Sequence, residues 1–135
     1  DGFRNNFINR FADLLNTIMQ PAYFSNVINT IYNQIQPYLN EDTNRYPRLT
    51  FYRESERTNL LNWANNRPAF ERENIRTHFN IESTLNVTLN VSNIQAGNVK
   101  INTILIDGIT PGVTANPYPW SGIYYKNIPV TLSAV

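Results

Sequence analysis

Cysteine is absent from this chain of 135 residues, and histidine and methionine each occur only once. The lack of cysteine excludes disulfide frameworks, thiolate metal sites and cysteine nucleophiles. Long hydrophobic runs are missing too, since no window approaches the roughly 18–20 apolar residues that a membrane-spanning helix needs. The N-terminus also lacks the basic and then apolar pattern of a signal peptide. We therefore expect no thiol chemistry and no membrane span.

A strong net charge is absent as well. The 11 Lys and Arg residues nearly balance the 10 Asp and Glu residues, which gives a formal net charge of +1 at pH 7. So weak a field gives no reason to expect a nucleic acid partner. What the chain has is apolar surface, because 41% of its residues are hydrophobic and 13% are aromatic. That composition predicts a folded, soluble protein and not a disordered one.

The first part of the chain has the periodicity of helices. Apolar residues near the N-terminus recur every three or four positions, which predicts an amphipathic first helix that buries this stripe. Ser25 is expected to cap a second helix, a third begins near Ser55, and Pro68 lies in the first turn of a fourth, where its missing N–H costs nothing. Residues 40–53 are predicted to form a loop. The stripe of the first helix consists of Phe3, Phe7, Phe11, Leu14, Leu15 and Ile18.

After residue 81 the apolar period changes from about 3.6 to 2, which is typical of half-buried strands. Apolar and polar residues alternate over residues 85–91, and a second strand is predicted over residues 99–106. These two strands are predicted to pair as an antiparallel hairpin. A loop that contains proline and glycine then leads to strands at residues 120–125 and 128–134, which a tight turn joins.

Together these patterns predict an α+β fold, with four helices in a small antiparallel array followed by a mainly antiparallel sheet of about four strands. We divide the chain into a helical segment over residues 1–81 and a β-rich module over residues 82–135. Only four charged residues follow residue 80, which agrees with a change of architecture there. The last strand is apolar and ends without a polar tail, so we expect the β module to be truncated at its C-terminal end.

Four short stretches occur in an order that resembles the order found in a known family. They read WANNRP at residues 63–68, GNVKIN at 97–102, WSGIYY at 120–125 and PVTLSA at 129–134. In these stretches, and in its opening helical segment, the chain resembles the C-terminal part of CotH family proteins. These kinase-like proteins were first known from spore coats and occur in many large bacterial extracellular polypeptides.

The resemblance implies a parent protein similar to atypical kinases, which use ATP and a divalent metal ion to phosphorylate Ser or Thr. Their acidic metal-binding and catalytic residues lie in an earlier segment, and none of them matches a position of this chain. We therefore expect a non-catalytic structural fragment that needs no cofactor and whose partner is the upstream part of the same polypeptide. The family also implies an extracellular or cell-surface location in a bacterium.

Side chains with catalytic potential are few. His78 is the only histidine, and no second histidine or convergent set of carboxylates joins it at a suitable spacing. A surface position near a helix end is therefore favoured over a metal or catalytic site. The glycines are isolated and lie outside any phosphate-binding pattern. We assign no catalytic, cofactor-binding or metal-binding residue.

An aromatic cluster near the C-terminus supports an alternative hypothesis, in which the β module binds a surface polysaccharide or a protein. Exposed aromatic rings on a β module can stack on sugar faces or anchor a protein partner. Strand alternation sends Tyr124 and Tyr125 to opposite faces, so at most part of the cluster can form one platform, and a core position is favoured. The cluster consists of Tyr118, Trp120, Tyr124 and Tyr125.

Three residues around the predicted break between the third and fourth helices are assigned structural roles. The guanidinium of Arg67 is expected to bind carbonyls at the end of the third helix or an acidic side chain across the bend. Pro68 is expected to begin the fourth helix, and Trp63 to anchor the core or an interface.

Overall fold

The computed structural model describes residues 2–46 and 53–135. It confirms the α+β architecture, since the described helices precede two small antiparallel sheets. Three of the helices are long and one is short. None of the described helices is long and apolar enough to cross a membrane. The helices are α1 (Gly2–Leu15), α2 (Pro21–Ile35), α3 (Leu39–Arg45) and α4 (Arg53–His78).

Helix α2 begins earlier than predicted. Pro21 occupies its first turn, where the ring fixes a helical φ and the missing N–H would have no partner. Ser25, the expected cap, therefore lies inside the helix. A 3-10 turn over Gln36–Tyr38 links α2 to α3, so the predicted loop over residues 40–53 is partly helical. Residues 47–52 of that loop lie outside the described residues.

Helix α4 runs continuously through the predicted break, and the division into a third and a fourth helix is wrong. Pro68 lies inside the helix, although proline in a helix interior removes one backbone hydrogen bond. Ala64 and Pro68 are four residues apart, so they lie on the same face, and both side chains are buried. Burial of this face against its neighbours offsets the lost hydrogen bond.

Helix α1 buries only part of the predicted stripe, since Leu15 is fully buried and Phe11 packs against the core while other members are exposed. Its buried apolar residues are Ile8, Ala12 and Leu15, whereas Phe3 is 86% exposed and Phe7 is 44% exposed. The buried face also carries polar side chains, whose hydrogen bonds to the β segment replace part of the apolar burial. Hydrophobic periodicity registers only apolar spacing, so it selects the aromatic stripe.

The strands lie in or next to the segments that the sequence predicts, but the segment over residues 99–106 forms two strands, the last strand begins later than predicted, and the pairing differs. The first sheet joins β1 to β4 in antiparallel register, with Leu89 opposite Trp120. The second sheet has the order β3-β2-β5, also antiparallel. The strands are β1 (Thr84–Leu89), β2 (Val99–Ile101), β3 (Ile104–Ile106), β4 (Trp120–Tyr125) and β5 (Leu132–Ala134).

Two turns explain the difference in pairing. The strand predicted over residues 99–106 folds back on itself at Asn102, whose φ of 47° lies in the left-handed region that asparagine tolerates. The predicted hairpin between residues 85–91 and 99–106 is therefore wrong. The turn at residues 126–127 is present, with Asn127 at φ 63°, but the strands on either side of it belong to different sheets.

One hydrophobic core joins the helices to both sheets. Ile8 and Ala12 of α1 and Ile75 of α4 belong to the same cluster as residues from four of the strands. The first helix and the last third of the chain therefore cover each other's apolar surface. The buried β-segment members of this cluster are Leu89, Ile101, Ile104, Ile106, Trp120, Tyr124, Tyr125 and Ile128.

Candidate functional site

The buried face of α1 and of the turn after it is largely polar. Asn9, Asp13 and Asn16 recur at spacings of four and three, which places them on one side of the helix. Asn9 is 7% exposed, Asp13 is 0% exposed and Asn16 is 2% exposed. We call these three residues and their partners in the β segment the α1–β junction.

Asp13 is the centre of the junction. Its Oδ1 accepts hydrogen bonds from the Tyr124 hydroxyl at 2.8 Å and from Asn102 Nδ2 at 3.1 Å. Its Oδ2 accepts from the Thr103 hydroxyl at 2.6 Å and from the Thr103 backbone N–H at 3.1 Å. A buried carboxylate is costly unless its lone pairs are satisfied, and these four donors satisfy both oxygens. The carboxylate thus joins α1 to β4 and to the turn between β2 and β3.

Asn16 joins the end of α1 to the backbone of β4. Its Nδ2 donates to the Ile123 carbonyl at 2.8 Å, and the Ile123 N–H donates to Asn16 Oδ1 at 3.0 Å. The side-chain amide therefore bonds β4 as a neighbouring strand would. The guanidinium of Arg72 on α4 donates to the same Oδ1 at 3.0 Å and to the Leu15 carbonyl at 3.1 Å. This second contact satisfies a carbonyl at the helix end.

Burial keeps the hydroxyl groups of Tyr124 and Tyr125 protonated. Burial, and then the nearby charge of Asp13, raise the pKa of Tyr124 far above its ordinary value. Burial raises the pKa of Tyr125 to about 12, while Arg72 acts in the opposite direction. Burial also lowers the pKa of Arg72. Both phenols are therefore neutral at physiological pH and can donate, Tyr124 to Asp13 and Tyr125 to the Arg72 carbonyl at 3.2 Å.

The structure places the predicted aromatic cluster in or against the core. Trp120 is 6% exposed, and the rings of Tyr124 and Tyr125 are buried as well. The rings of Trp120 and Tyr124 lie 6.5 Å apart in a tilted arrangement. Burial favours the core interpretation of these three residues. Their contact with a sugar or a protein stays a prediction.

Tyr118 is partly exposed, and its hydroxyl group joins β2 to β3. It donates to the Ile106 carbonyl at 2.7 Å and accepts from the Val99 N–H at 2.6 Å. The loop before β4 is therefore attached to the second sheet.

The residues predicted to have structural roles lie along α4. Trp63 contacts Phe24 of α2 edge to face, with ring centroids 5.5 Å apart, and so links the two helices. Arg67 forms an ion pair with Glu71 one turn further along the same helix, and its guanidinium lies 5.9 Å from the Trp63 ring. Pro68 is buried. Since α4 has no break here, Arg67 makes its ion pair within one helix.

Sequence reasoning misses the junction. The apolar pattern places Asp13 on a face away from the predicted stripe, and it treats the asparagines as ordinary polar residues. The available signal is the spacing of Asn9, Asp13 and Asn16, which places three polar side chains on the face that also carries Ile8 and Ala12. Their partners in the β segment are far away in the sequence, so no local pattern predicts these contacts. The partners include Asn102, Thr103 and Tyr124.

Within residues 2–46 and 53–135 no group of three or more His, Asp or Glu side chains is arranged to hold a metal ion. His78 is exposed at the end of α4, with its ring edge to face against Phe79 at 4.8 Å.

Comparison with known proteins identifies a family. A protein-family model described as CotH kinase protein matches residues 1–71, which is more than half of the chain. That match covers α1 to the middle of α4, including Asp13 and Asn16. No curated protein and no solved structure matches the chain.

Proposed function

This chain belongs to the CotH kinase protein family, and on that premise we propose that it is a non-catalytic supporting part of a longer kinase-like protein. In this proposal its helices complete the kinase-like domain, and its β segment connects that domain to a β module. The observation that carries the proposal is the junction centred on Asp13.

The junction connects residues 1–71, which the family model matches, with residues that lie beyond that match. Asp13 lies within the matched residues 1–71, whereas Asn102, Thr103 and Tyr124 lie beyond them. Buried charge-assisted hydrogen bonds of this kind fix geometry, because each donor must stay in place for the carboxylate to remain satisfied. Such a connection holds two segments in one orientation, which is what a supporting element requires.

Phosphoryl transfer, in this proposal, belongs to polypeptide that precedes these residues. The family resemblance places the ATP- and metal-binding acids in an earlier segment. The Asp13 carboxylate is buried and engaged by four donors, so it supports a structural assignment. By itself the chain then needs no cofactor. The same resemblance is the ground for proposing a bacterial extracellular or cell-surface location.

The first test compares the chain with the longer protein. Each is incubated with labelled ATP, a divalent metal ion and a protein substrate that contains Ser and Thr, and transferred phosphate is measured. We expect transfer by the longer protein and none by residues 1–135 alone. Phosphate transfer by the isolated chain would overturn the proposal.

The second test changes Asp13 in the longer protein. We expect Asp13→Ala to lower the melting temperature and the phosphate-transfer rate together, since the junction supports the domain. Glu82→Gln is the control, because Glu82 is exposed and forms an ion pair with Lys126 at the surface. If Asp13→Ala abolished transfer while the melting temperature stayed unchanged, Asp13 would be a catalytic group and the supporting role would be refuted.

A further inference from the structure

Strand β1 has a free edge. It pairs with β4 on one side, and in the part of the chain that the structure describes no strand lies on its other side. A free edge presents unpaired backbone N–H and C=O groups, so it can accept a further strand. The exposed residues of β1 are Thr84, Leu85, Asn86 and Thr88.

The contacts of Ile123 on β4 establish which backbone groups of β1 face outward. Ile123 lies opposite Asn86, but its N–H and its carbonyl bond the side chain of Asn16 and not β1. In an antiparallel ladder, opposite residues either exchange both hydrogen bonds or exchange none. The backbone groups of Asn86 therefore point away from β4. Because the pattern alternates, those of Thr84 and Thr88 point away as well.

The end of β4 gives the same alternation. The Lys126 N–H donates to the Ser83 carbonyl at 3.0 Å, and these two residues continue the register one step beyond the strand. Bonded pairs occur at every second position, so Leu85 and Val87 bond β4 and the residues between and beside them do not.

The free edge is chemically complementary to a second copy of itself. On either side of Asn86 the sequence has an apolar residue, Leu85 or Val87, and then a threonine, Thr84 or Thr88. If two such edges pair in antiparallel fashion about Asn86, threonine lies opposite threonine, leucine opposite valine and carboxamide opposite carboxamide. Threonine pairs and apolar pairs across strands are favourable, and a carboxamide can both donate to its copy and accept from it.

The edge also lacks the features that usually keep free strands apart. Natural proteins protect such edges with lysine, proline or a β-bulge. Residues 83–99 contain no charged residue and no proline. The register of β1 with β4 is continuous, so no bulge bends the edge away.

We propose that two copies of this chain associate through their β1 edges, with a two-fold axis at Asn86. The two strands β1 and the two strands β4 then form one antiparallel sheet of four strands. Centring the pair on Asn86 places outward-facing backbone groups opposite each other, so Thr84, Asn86 and Thr88 of one copy can each exchange two hydrogen bonds with the other copy. This role goes beyond support of the kinase-like domain and does not depend on it.

A strand of another protein is the competing occupant, since any extended peptide can bond a free edge. The symmetry of the side chains about Asn86 favours the second copy. One strand pair gives an interface below the roughly 1,200 Å² of stable complexes. We therefore expect a weak dimer, with a dissociation constant of about 10 μM to 1 mM.

Sedimentation equilibrium of the unchanged chain, at concentrations across that range, should show monomers and dimers. Asn86→Lys and Asn86→Glu each place like charges opposite each other at the axis. Each variant alone should therefore dimerise about fivefold more weakly, or not at all. An equimolar mixture of the two should regain the affinity of the unchanged chain, because lysine then lies opposite glutamate. A strand from a different protein would give no such recovery.

The control variants make the same charge changes elsewhere. Asn33 is an exposed asparagine on α2, so Asn33→Lys and Asn33→Glu should leave dimerisation unchanged. Urea unfolding midpoints close to that of the unchanged chain establish that each variant is folded. The measurement on the unchanged chain does not depend on any variant.

Three results would overturn the proposal. One is an unchanged chain that stays monomeric up to about 1 mM, the weakest affinity expected. Another is undiminished dimerisation of the folded Asn86→Lys and Asn86→Glu variants, which would place the interface elsewhere. The third is a mixture of these two variants that associates no more strongly than either alone, since the two copies of position 86 would then not meet.

Discussion

Asp13 holds a negative charge inside the protein with hydrogen bonds from three residues, Asn102, Thr103 and Tyr124. A buried charge is tolerated only when every lone pair is engaged, because water can no longer solvate it. If the carboxylate is removed, the four donors that point at it are left without a partner. The cost of a substitution is therefore set by these donors more than by the side chain that is lost.

Asp13→Ala is expected to lower the free energy of unfolding by about 3–5 kcal/mol. Asp13→Asn should cost about 1–3 kcal/mol, because an amide oxygen still accepts while the new NH₂ group faces other donors. Urea denaturation followed by circular dichroism measures both. Glu82→Gln breaks only a surface ion pair and should stay within about 1 kcal/mol. A cost for Asp13→Ala no larger than that of the control would contradict the junction.

The buried tyrosines predict how stability depends on alkaline pH. Their folded pKa values are raised, to about 12 for Tyr125 and further for Tyr124, above the unfolded value of about 10. The protonated phenols therefore contribute stability that is complete below pH 10 and is lost as the pH rises through the folded values. Unfolding midpoints in urea should fall between about pH 10 and 12. Tyr125→Phe should make that decline shallower, and an identical decline in this variant would contradict the assignment.

At the scale of single residues, the sequence predicts little of the junction. It predicts that Trp63 anchors the core or an interface; the ring contacts Phe24 of α2 and is 43% exposed, and the anchoring role stays a prediction. It places Asp13 only outside the apolar stripe of α1 and gives no sign that the side chain is buried. The donors that make burial acceptable come from residues about ninety or more positions away. Contacts between residues so far apart in the sequence leave no local pattern from which they could be predicted.

At the scale of elements, prediction succeeds for location and fails for pairing. The periods of 3.6 and 2 locate the helices and strands, since each depends on neighbours in the sequence. Strand β1 pairs with β4, although β2 and β3 lie between them in the sequence. The pairing therefore depends on contacts in the folded core and not on proximity in the sequence. Pro68 is a case in which local sequence predicts the wrong structure. Proline indicates a break, but α4 continues because packing of the face that Pro68 shares with Ala64 offsets the cost of the proline.

The loop between β3 and β4 is held against the end of α1 by a close approach. Gly112 has a φ of 84°, and a Cβ added there would overlap the Thr17 carbonyl. Gly112→Ala should therefore destabilise the protein by about 2–4 kcal/mol, from backbone strain and overpacking. Gly2→Ala is the matched control, since a Cβ there meets no atom within 4 Å and should have a small, favourable effect on α1. Thermal unfolding of the two variants gives the comparison, and equal melting temperatures would contradict the close approach.

At the scale of the whole molecule, the helical and β segments share buried surface. The core cluster contains Ile8 and Ala12 of α1 together with Ile101 and Ile106 of the second sheet. When two segments bury each other's apolar residues, unfolding of one exposes the apolar residues of the other, so the two segments unfold together. The described chain should therefore unfold in one step.

Two probes can test this cooperativity, because each segment has one tryptophan. In a Trp63→Phe variant, fluorescence reports on Trp120 in β4, while far-ultraviolet circular dichroism reports mainly on the helices. We expect the two urea transitions to coincide in midpoint and slope. The Trp120→Phe variant gives the converse probe in α4. Separate midpoints for helices and strands would show that the two segments are stable independently.

The distance along the chain between Asp13 and Tyr124 affects how the protein emerges from the ribosome. The two residues are 111 positions apart, so translation at ~5–20 residues per second delivers Tyr124 about 6–22 s after Asp13. Until β4 is synthesised, the inner face of α1 lacks the β4 partner that helps to bury it in the folded protein. Asparagine and aspartate side chains are well solvated by water. Before β4 is synthesised, this face is therefore less prone to aggregation than an apolar face would be. The polar character that makes this face of α1 difficult to predict from the sequence thus suits a helix that is synthesised well before its partner strand β4.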